Sequence, residues 1–537
     1  MSDNRLGIVV AGSLSAGLDI KLDGSASVED MAVGTYVVVE GVKSSLFGMI
    51  TDISLEAANQ QMAITPPNVS DPFIAEVVSG TAVFGKIKVR PQLFMGSDAR
   101  SLLDGPRPVK TVPSHYSKVR LATEADMERI FGAEDAKHFH VGNPLDMEIK
   151  VCLNLEEFVK RSNGVFGKSG TGKTFLTRIL LSGIIQKDIA TSLIFDMHSE
   201  YGWEGTSEHS KKVKGLKQLL GSKLAVFTLD EQNARRRKVS ADYIVEIGYD
   251  EIEPQDVEML SQTLNLTQNA CEAVYSFARE FGYGKWLSGV LALEGGEETR
   301  ILLDRLNVHE SSFRNLRRGL DKLSRLPFLV AHARDNSVKR ILEYLERGVS
   351  VVLEFGRYTD IAAYILVANL LTRRIYDRYR ERTERAMGSD ETSPQPLVIT
   401  IEEAHKFLNP QLANQTIFGT IAREMRKYNV TLLVVDQRPS GIDEEVMSQF
   451  GTKATYLLDN ERDVDNVLMG VAGKNELRTV ISKLENKQQT LIFGHALPLP
   501  VVIKTREYGS AESYQDFGFK DAAVLKKKAE QDKDELW

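Results

Sequence analysis

Two cysteines in 537 residues, Cys152 and Cys271, are too few for a disulfide framework and point to a reducing compartment. No apolar run approaches the roughly 20 residues of a membrane span, which argues against a helical membrane protein. The opening residues, Met1-Ser2-Asp3-Asn4-Arg5, lack the charged and apolar sections of a signal peptide, so the expected location is cytoplasmic. Lys533-Asp534-Glu535-Leu536 has the look of a retention tetrapeptide, but Trp537 follows it and the stretch reads as a solvated tail. Positive charge is not in excess either. A net charge of −7 excludes a wholly basic coat for nucleic acid and leaves only a local basic surface. His115, His138 and His140 have no Cys or second His pair at metal-ligand spacing, so they read as solvated or core histidines.

What is present begins with Gly167-Lys168-Ser169-Gly170-Thr171-Gly172-Lys173-Thr174, which fits G-x-x-x-x-G-K-[ST]. Glycines let successive backbone N–H groups point at phosphate oxygens where a Cβ would obstruct the approach. Lys173 is expected to reach the β- and γ-phosphates and the Thr174 hydroxyl to hold Mg²⁺. The run Phe175–Ile184 reads as the following helix, whose dipole favours the same anion. This is a nucleotide site.

The length implies three or four folding units. Residues 1–110 carry short β-type runs at Gly7–Val10, Tyr36–Glu40, Phe47–Ser54, Phe73–Val78 and Lys86–Gln92, spaced as in a small sandwich or barrel. They show no catalytic cluster. Residues 111–150 read as a connector. From residue 151 the pattern turns α/β, with buried-strand candidates Ser192–Phe195, Leu224–Thr228, Val349–Phe355, Leu397–Ile401, Leu432–Val435, Ala454–Leu458 and Thr490–Phe493. Intervening helices imply a parallel sheet with crossovers. Residues 230–345 read as a helical insertion, with Pro254 opening one helix and others at Val274–Phe281 and Ile341–Arg347. The ATPase core would then comprise 151–229 and 346–509. Met387–Pro396 is a polar loop, and 510–537 a charged arm.

Strand Leu397–Ile401 runs into Glu402-Glu403. Side-chain alternation separates the two acids, with Glu402 toward the metal and Glu403 as the base that activates water. Asp196 ends the strand after the loop helix and is expected near Mg²⁺ or the water, with capping of the next turn as its alternative. Gln437, after Leu432–Val435, can contact the γ-phosphate as donor and acceptor at once. Ile421–Tyr428 reads as a helix capped by Asn429, with Arg423 and Arg426 on one face. Arg161, twelve residues before Lys173, is a third arginine candidate.

Together Gly167–Thr174, Phe195-Asp196-Met197-His198-Ser199-Glu200-Tyr201, Ile401-Glu402-Glu403-Ala404-His405 and Arg423–Tyr428 leading into Asp436-Gln437-Arg438-Pro439-Ser440 resemble the HerA branch of the HerA/FtsK family of hexameric DNA-translocating ATPases. The resemblance covers nearly the whole chain; the insertion and tail match in type only. It implies a RecA-like P-loop ATPase core, an N-terminal small β-barrel that helps assemble a homohexamer, and ATP bound with Mg²⁺ between subunits. An arginine from the neighbour completes such a site, and Arg161 and Arg426 fall where the family places these residues, Arg423 less closely. Double-stranded DNA passing through a pore, and a partner nuclease of the NurA type or another anti-phage defence effector, are also implied. Candidate DNA grips are the clusters Lys211–Lys217 and Arg235–Lys238. Two departures stand out. Glu402 replaces the usual Asp, and Met425 and Asn429 stand where glycines are common. Two other readings share the core, an ATP-switched platform that activates a bound effector and a peripheral secretion or conjugation ATPase.

Overall fold

The computed structural model describes residues 5–41, 44–58, 70, 78, 82–96, 106–145, 147–206, 212–358, 360–388, 392–411, 413, 417–471, 473–485 and 487–517, with the side chains of 425, 426 and 511 outside the description. The β-branched run Val37-Val38-Val39 is fully buried and forms the middle of strand β3. Around it lies a seven-stranded sheet made of β1 (Gly7–Ser13), β2 (Gly17–Leu22), β3 (Tyr36–Glu40), β4 (Ser44–Ala57), β5 (Val83–Gly96), β6 (Arg107–Pro108) and β7 (Lys118–Leu121). Its order is β2-β1-β7-β3-β4-β5-β6, and β2 pairs additionally with β5, so the ladder returns on itself. Its inner residues, among them Ile20, Val37, Ile50 and Val89, form a core of their own. The outer face, with Tyr36, Val38, Phe47 and Met49, packs into the main core, and the Tyr36 hydroxyl donates to the Pro500 carbonyl at 2.5 Å. The expected strand at Phe73–Val78 lies outside the described residues except for Val78.

The stretch expected as a connector is not one unit. Strand β7 slots between β1 and β3 in the first sheet, helix α1 (Glu124–Phe131) follows behind a Thr123 capping box, and β8 (His138–Pro144) joins the second sheet. That second sheet has twelve strands in the order β15-β14-β18-β11-β19-β20-β10-β21-β22-β23-β8-β9. Its members are β9 (Val151–Asn154), β10 (Asn163–Phe166), β11 (Thr191–Asp196), β14 (Leu224–Thr228), β15 (Tyr243–Ile244), β18 (Ser350–Glu354), β19 (Leu397–Glu402), β20 (Val430–Asp436), β21 (Thr452–Thr455), β22 (Gln489–Gly494) and β23 (Val501–Thr505), besides β8. From β15 to β21 every pairing is parallel; from β21 to β9 every pairing is antiparallel. The fold is mixed α/β, and the expected parallel sheet carries an antiparallel annex in which short reversals, not helices, join β22 to β23 and β8 to β9. β21 starts two residues before its expected range.

Two ribbons, β12 with β13 (Gly205–Thr206, Lys212–Val213) and β16 with β17 (Ile247–Gly248, Leu329–Val330), are minor. The second lies within the segment expected to be purely helical, as does β15. The rest of that segment is helical as expected, with α2 (Pro254–Met259) opening on its proline, α3 (Gln268–Phe281) and α4 (Glu310–Leu323). It docks on the long helix α5 (Ile361–Gly388). Arg373 on α5 is paired with Glu253 and, at 2.8 Å, with the fully buried Asp256. No helix among the described residues is long and apolar enough to cross a membrane.

Candidate functional site

Strand β10, which the sequence did not reveal, delivers the chain into Gly167–Thr174. Asn163 and Gly164 are poor strand formers, but the Asn163 amide donates to Phe158 and Arg161 carbonyls while parallel neighbours on both sides hold the strand. Gly167 has φ 151° and Gly172 φ 111°, values a side chain resists. A Cβ at Gly167 would lie 2.6 Å from Tyr456 Cβ. Tyr456, just past β21, braces the loop by donating its hydroxyl to the Gly172 carbonyl at 3.3 Å. The helix from Lys173 to Gln186 starts on the loop, and its first turn aims at the same space. Lys173 is buried and its Nζ donates to the Lys168 carbonyl at 2.5 Å. Burial pulls its ammonium down to about 8 against the charges of Glu403, Asp436, Glu402 and Glu200.

The loop lies on one wall of a cavity of about 1570 Å³. Thr174, Glu200, Glu402, Glu403 and Gln437 line it too, so the structure brings these sequence candidates together. The strand that runs into Gln437, β20, stands between the loop strand β10 and the acid-bearing β19. Gln437 therefore sits between phosphate loop and acids.

Glu402 is buried at the end of β19. Its Oε1 accepts from the Tyr201 hydroxyl at 2.9 Å, and its Oε2 has no hydrogen-bond partner among the described residues. Burial, reinforced by Asp196 and Glu200, pushes its carboxyl up to about 8. Glu403 follows with φ 51°, so the strand has already ended and simple alternation does not describe the pair. The acids do diverge, but through a left-handed residue. Glu403 Oε1 accepts from Gln437 Nε2 at 3.3 Å, and Oε2 lies 3.6 Å from His405 Nε2.

Asp196 takes the capping alternative. Fully buried, it accepts the backbone N–H groups of Glu200 and Tyr201, both at 2.8 Å, which fixes the turn through Ser199. The acid that meets Thr174 is Glu200, whose Oε2 accepts from the Thr174 hydroxyl at 3.0 Å. Sequence reasoning missed Glu200 and Tyr201, although both lie four and five residues after a strand-ending Asp. It also missed Glu354 at the end of β18, which burial and Asp196 push up to about 7 beside Arg237.

Arginine candidates lie elsewhere. Arg161 precedes β10, at the opposite end from the loop, roughly 15 Å away at strand rise, and its guanidinium makes no hydrogen bond or ion pair among the described residues. Arg423 ends the helix Ile417–Glu424 and donates to the Ala413 carbonyl at 3.3 Å. The Arg426 side chain lies outside the described residues, in the 3-10 turn Met425–Tyr428 that precedes Asn429 (φ 60°). Of the proposed DNA grips, Lys211 is also outside them, Lys217 is engaged by Asp242 and Arg237 by Glu354.

The family model for the central domain of helicase HerA matches residues 139–375, from β8 into α5. The DNA double-strand break repair helicase HerA of Pyrococcus furiosus is 25% identical over 399 residues, covering 70% of this chain and 71% of the relative. Its namesake from Sulfolobus acidocaldarius is 23% identical over 495 residues, covering 91% of each. Residues 139–375 thus match the HerA central domain, and the chain is similar to HerA helicases over most of its length. Among solved structures, the conjugative coupling protein TrwB is similar at TM-score 0.47 and 14% identity, covering 73% of this chain and 94% of that one. VirB4 of Thermoanaerobacter pseudethanolicus is similar at TM-score 0.45 and 13% identity, covering 71% and 100%.

The helicase relatives and the phosphate loop make the protein an ATP-hydrolysing enzyme with ATP and Mg²⁺ as cofactors. The residues fit both groups. The glycine cradle has no room for a Cβ at Gly167, Lys173 brings a cation, and a hydroxyl at Thr174 with an unpaired buried oxygen on Glu402 is an oxygen donor set suited to a hard cation.

Proposed function

We propose that this ATPase is a motor that moves double-stranded DNA and works as a homohexamer. One observation carries the reading. Loop, acids and Gln437 line a single cavity, while Arg161 lies at the far end of the loop strand, outside that cavity. That division supports a site completed across a subunit seam, with Arg161, Arg423 or Arg426 as the contributed guanidinium. The DNA helicase activity named for the relatives supports DNA as the track.

In this mechanism the loop N–H groups and the Lys173 ammonium bind the phosphates. Thr174 and Glu402 would hold Mg²⁺, which would supply positive charge to the phosphate oxygens. The Glu403 carboxylate accepts the proton of the attacking water, and Gln437 senses the γ-phosphate from the adjacent strand end. Asp196 stands one contact back, holding the turn that presents Glu200 to Thr174.

The return pairing of β2 with β5 supports a small β-barrel at the N-terminus that serves ring assembly. Residues 230–345 form an insertion keyed to the core through Arg373. A nuclease or defence effector as partner rests on the family resemblance. The deciding experiment measures ATPase rate with and without linear duplex DNA across a salt series. Stimulation that collapses with salt is the expected result; a rate indifferent to DNA, alone and with a partner nuclease, would favour an ATP-switched platform.

A further inference from the structure

The Ile401–His405 stretch contains a histidine that the mechanism above does not use. His405 lies between two carboxylates from different strands. Its backbone N–H donates to Asp436 Oδ2 at 2.8 Å, and its ring Nδ1 lies 3.0 and 3.1 Å from the two Asp436 oxygens. Its Nε2 lies 3.6 Å from Glu403 Oε2. The turn Pro439–Gly441 packs against the base of the side chain, since a Cβ at Gly441 would come to 3.0 Å from His405 Cβ.

Asp436 is the hub of this arrangement. It is fully buried, its Oδ1 also accepts the Arg438 N–H at 2.6 Å, and its carbonyl accepts the Gly167 N–H at 3.3 Å. One residue thus touches the phosphate loop, the turn carrying Gln437, and the histidine facing the proposed base. Glu403 is flanked on both sides, with Gln437 hydrogen-bonded to one oxygen and His405 Nε2 3.6 Å from the other.

We infer that His405 is a positioning residue for Glu403, anchored on Asp436 so that loop, γ-phosphate sensor and base move as one unit. It rests on the reading of Glu403 as the base. An ionised Asp436 can only accept, so Nδ1 carries a proton in either charge state of the ring. Nε2 then decides the contact. In the imidazolium it presents N–H to Glu403; in the neutral ring it presents a lone pair to an anion, and the hold is lost. The hydrogen bond to Asp436 raises the ring above its ordinary value of 6.5, with Glu403 adding to the effect and Lys406 and burial opposing it. From the loop helix, Lys173 faces the same two carboxylates. His405 itself transfers no proton.

The test uses full-length protein with His405→Gln and His405→Asn, and kcat and KM for Mg·ATP measured over about pH 6 to 9 with duplex DNA present. Positioning predicts that kcat falls about tenfold or more with KM within about twofold, and that the decline of wild-type kcat through the histidine titration is absent from both variants. A fluorescent ATP analogue and thermal melting confirm that the variants fold and bind. Wild-type kcat in either variant, or a uniform loss that leaves the basic limb in place, would overturn the inference. Glu403→Gln, run alongside, separates the two claims. Loss of turnover there with unaltered His405 variants removes the histidine alone, whereas full turnover in Glu403→Gln removes the base assignment and this inference together.

Discussion

The Tyr201 hydroxyl donates to Glu402 Oε1 at 2.9 Å across 201 residues of sequence, and both side chains are buried. That bond is the one hydrogen bond found for the Glu402 carboxylate among the described residues, and it favours the ionised form that a cation needs. Tyr201→Phe should therefore raise the Glu402 carboxyl further and make Mg²⁺ compete with a proton. The half-saturating Mg²⁺ concentration for hydrolysis should increase at pH 7 and return toward wild type at pH 9. An unsatisfied buried oxygen should also cost about 1–3 kcal/mol in denaturant titration.

Glu403→Gln should bind ATP normally and lose about 10²–10⁴ in turnover, the usual range for a missing general base. Lys173→Ala should fail earlier, at binding, because the phosphates lose their buried cation. Equilibrium titration with a fluorescent nucleotide, followed by single-turnover hydrolysis, distinguishes the two.

Arg161→Ala should leave nucleotide affinity nearly intact while hydrolysis falls by about 10³–10⁵, as for other arginines supplied in trans. Mixing Arg161→Ala with Lys173→Ala protein should recover part of the activity, since mixed rings contain some seams with both groups. Strict additivity of two dead proteins would place the arginine within its own subunit.

Stability without nucleotide should pass through a minimum near pH 7–8. Glu354 and Glu402, raised to about 7 and about 8 from 4.5, keep protons in the folded state that the unfolded chain has released, so stability falls as pH rises through that window. Lys173 and Lys453, lowered to about 8 and about 7 from 10.5, have the opposite effect; the unfolded chain binds more protons, and stability rises above pH 8. Mg·ATP brings a cation to the acids and should raise the melting temperature more at pH 8 than at pH 6. Thermal scans with and without nucleotide check both slopes.

Arg373→Met should destabilise the docking of the helical segment by about 3–5 kcal/mol, because Asp256 would keep its fully buried carboxylate without its cation. Urea titration should show an early transition confined to that segment, and limited proteolysis should cut between residues 230 and 345 first.

The placement of most site residues was legible in the sequence, for reasons visible at particular residues. Gly167–Thr174 is a run of eight whose backbone shape depends on its own glycines, and Glu402, Glu403 and Gln437 stand at the ends of apolar strands that alternation and length reveal. The strand β10 was hidden because Asn163 and Gly164 carry no strand signal of their own. Alternation failed at Glu403 because that residue turns left-handed at φ 51°. Glu200 escaped notice because its meeting with Thr174 depends on Asp196 folding the intervening turn.

By itself the sequence determined the glycine loop, the strand ends at which Glu402, Glu403 and Gln437 stand, and that helices would accompany a largely parallel sheet; each follows from residues a few positions apart, whose conformations are local matters. Tertiary structure alone decided that β20 separates loop from acids, that Tyr201 serves Glu402, and that Asp436 holds His405 against Glu403. These pairings join residues up to 270 positions apart, as Asn163 and Leu433 are. No periodicity encodes them, because burial of whole strands and helices selects which ends become neighbours.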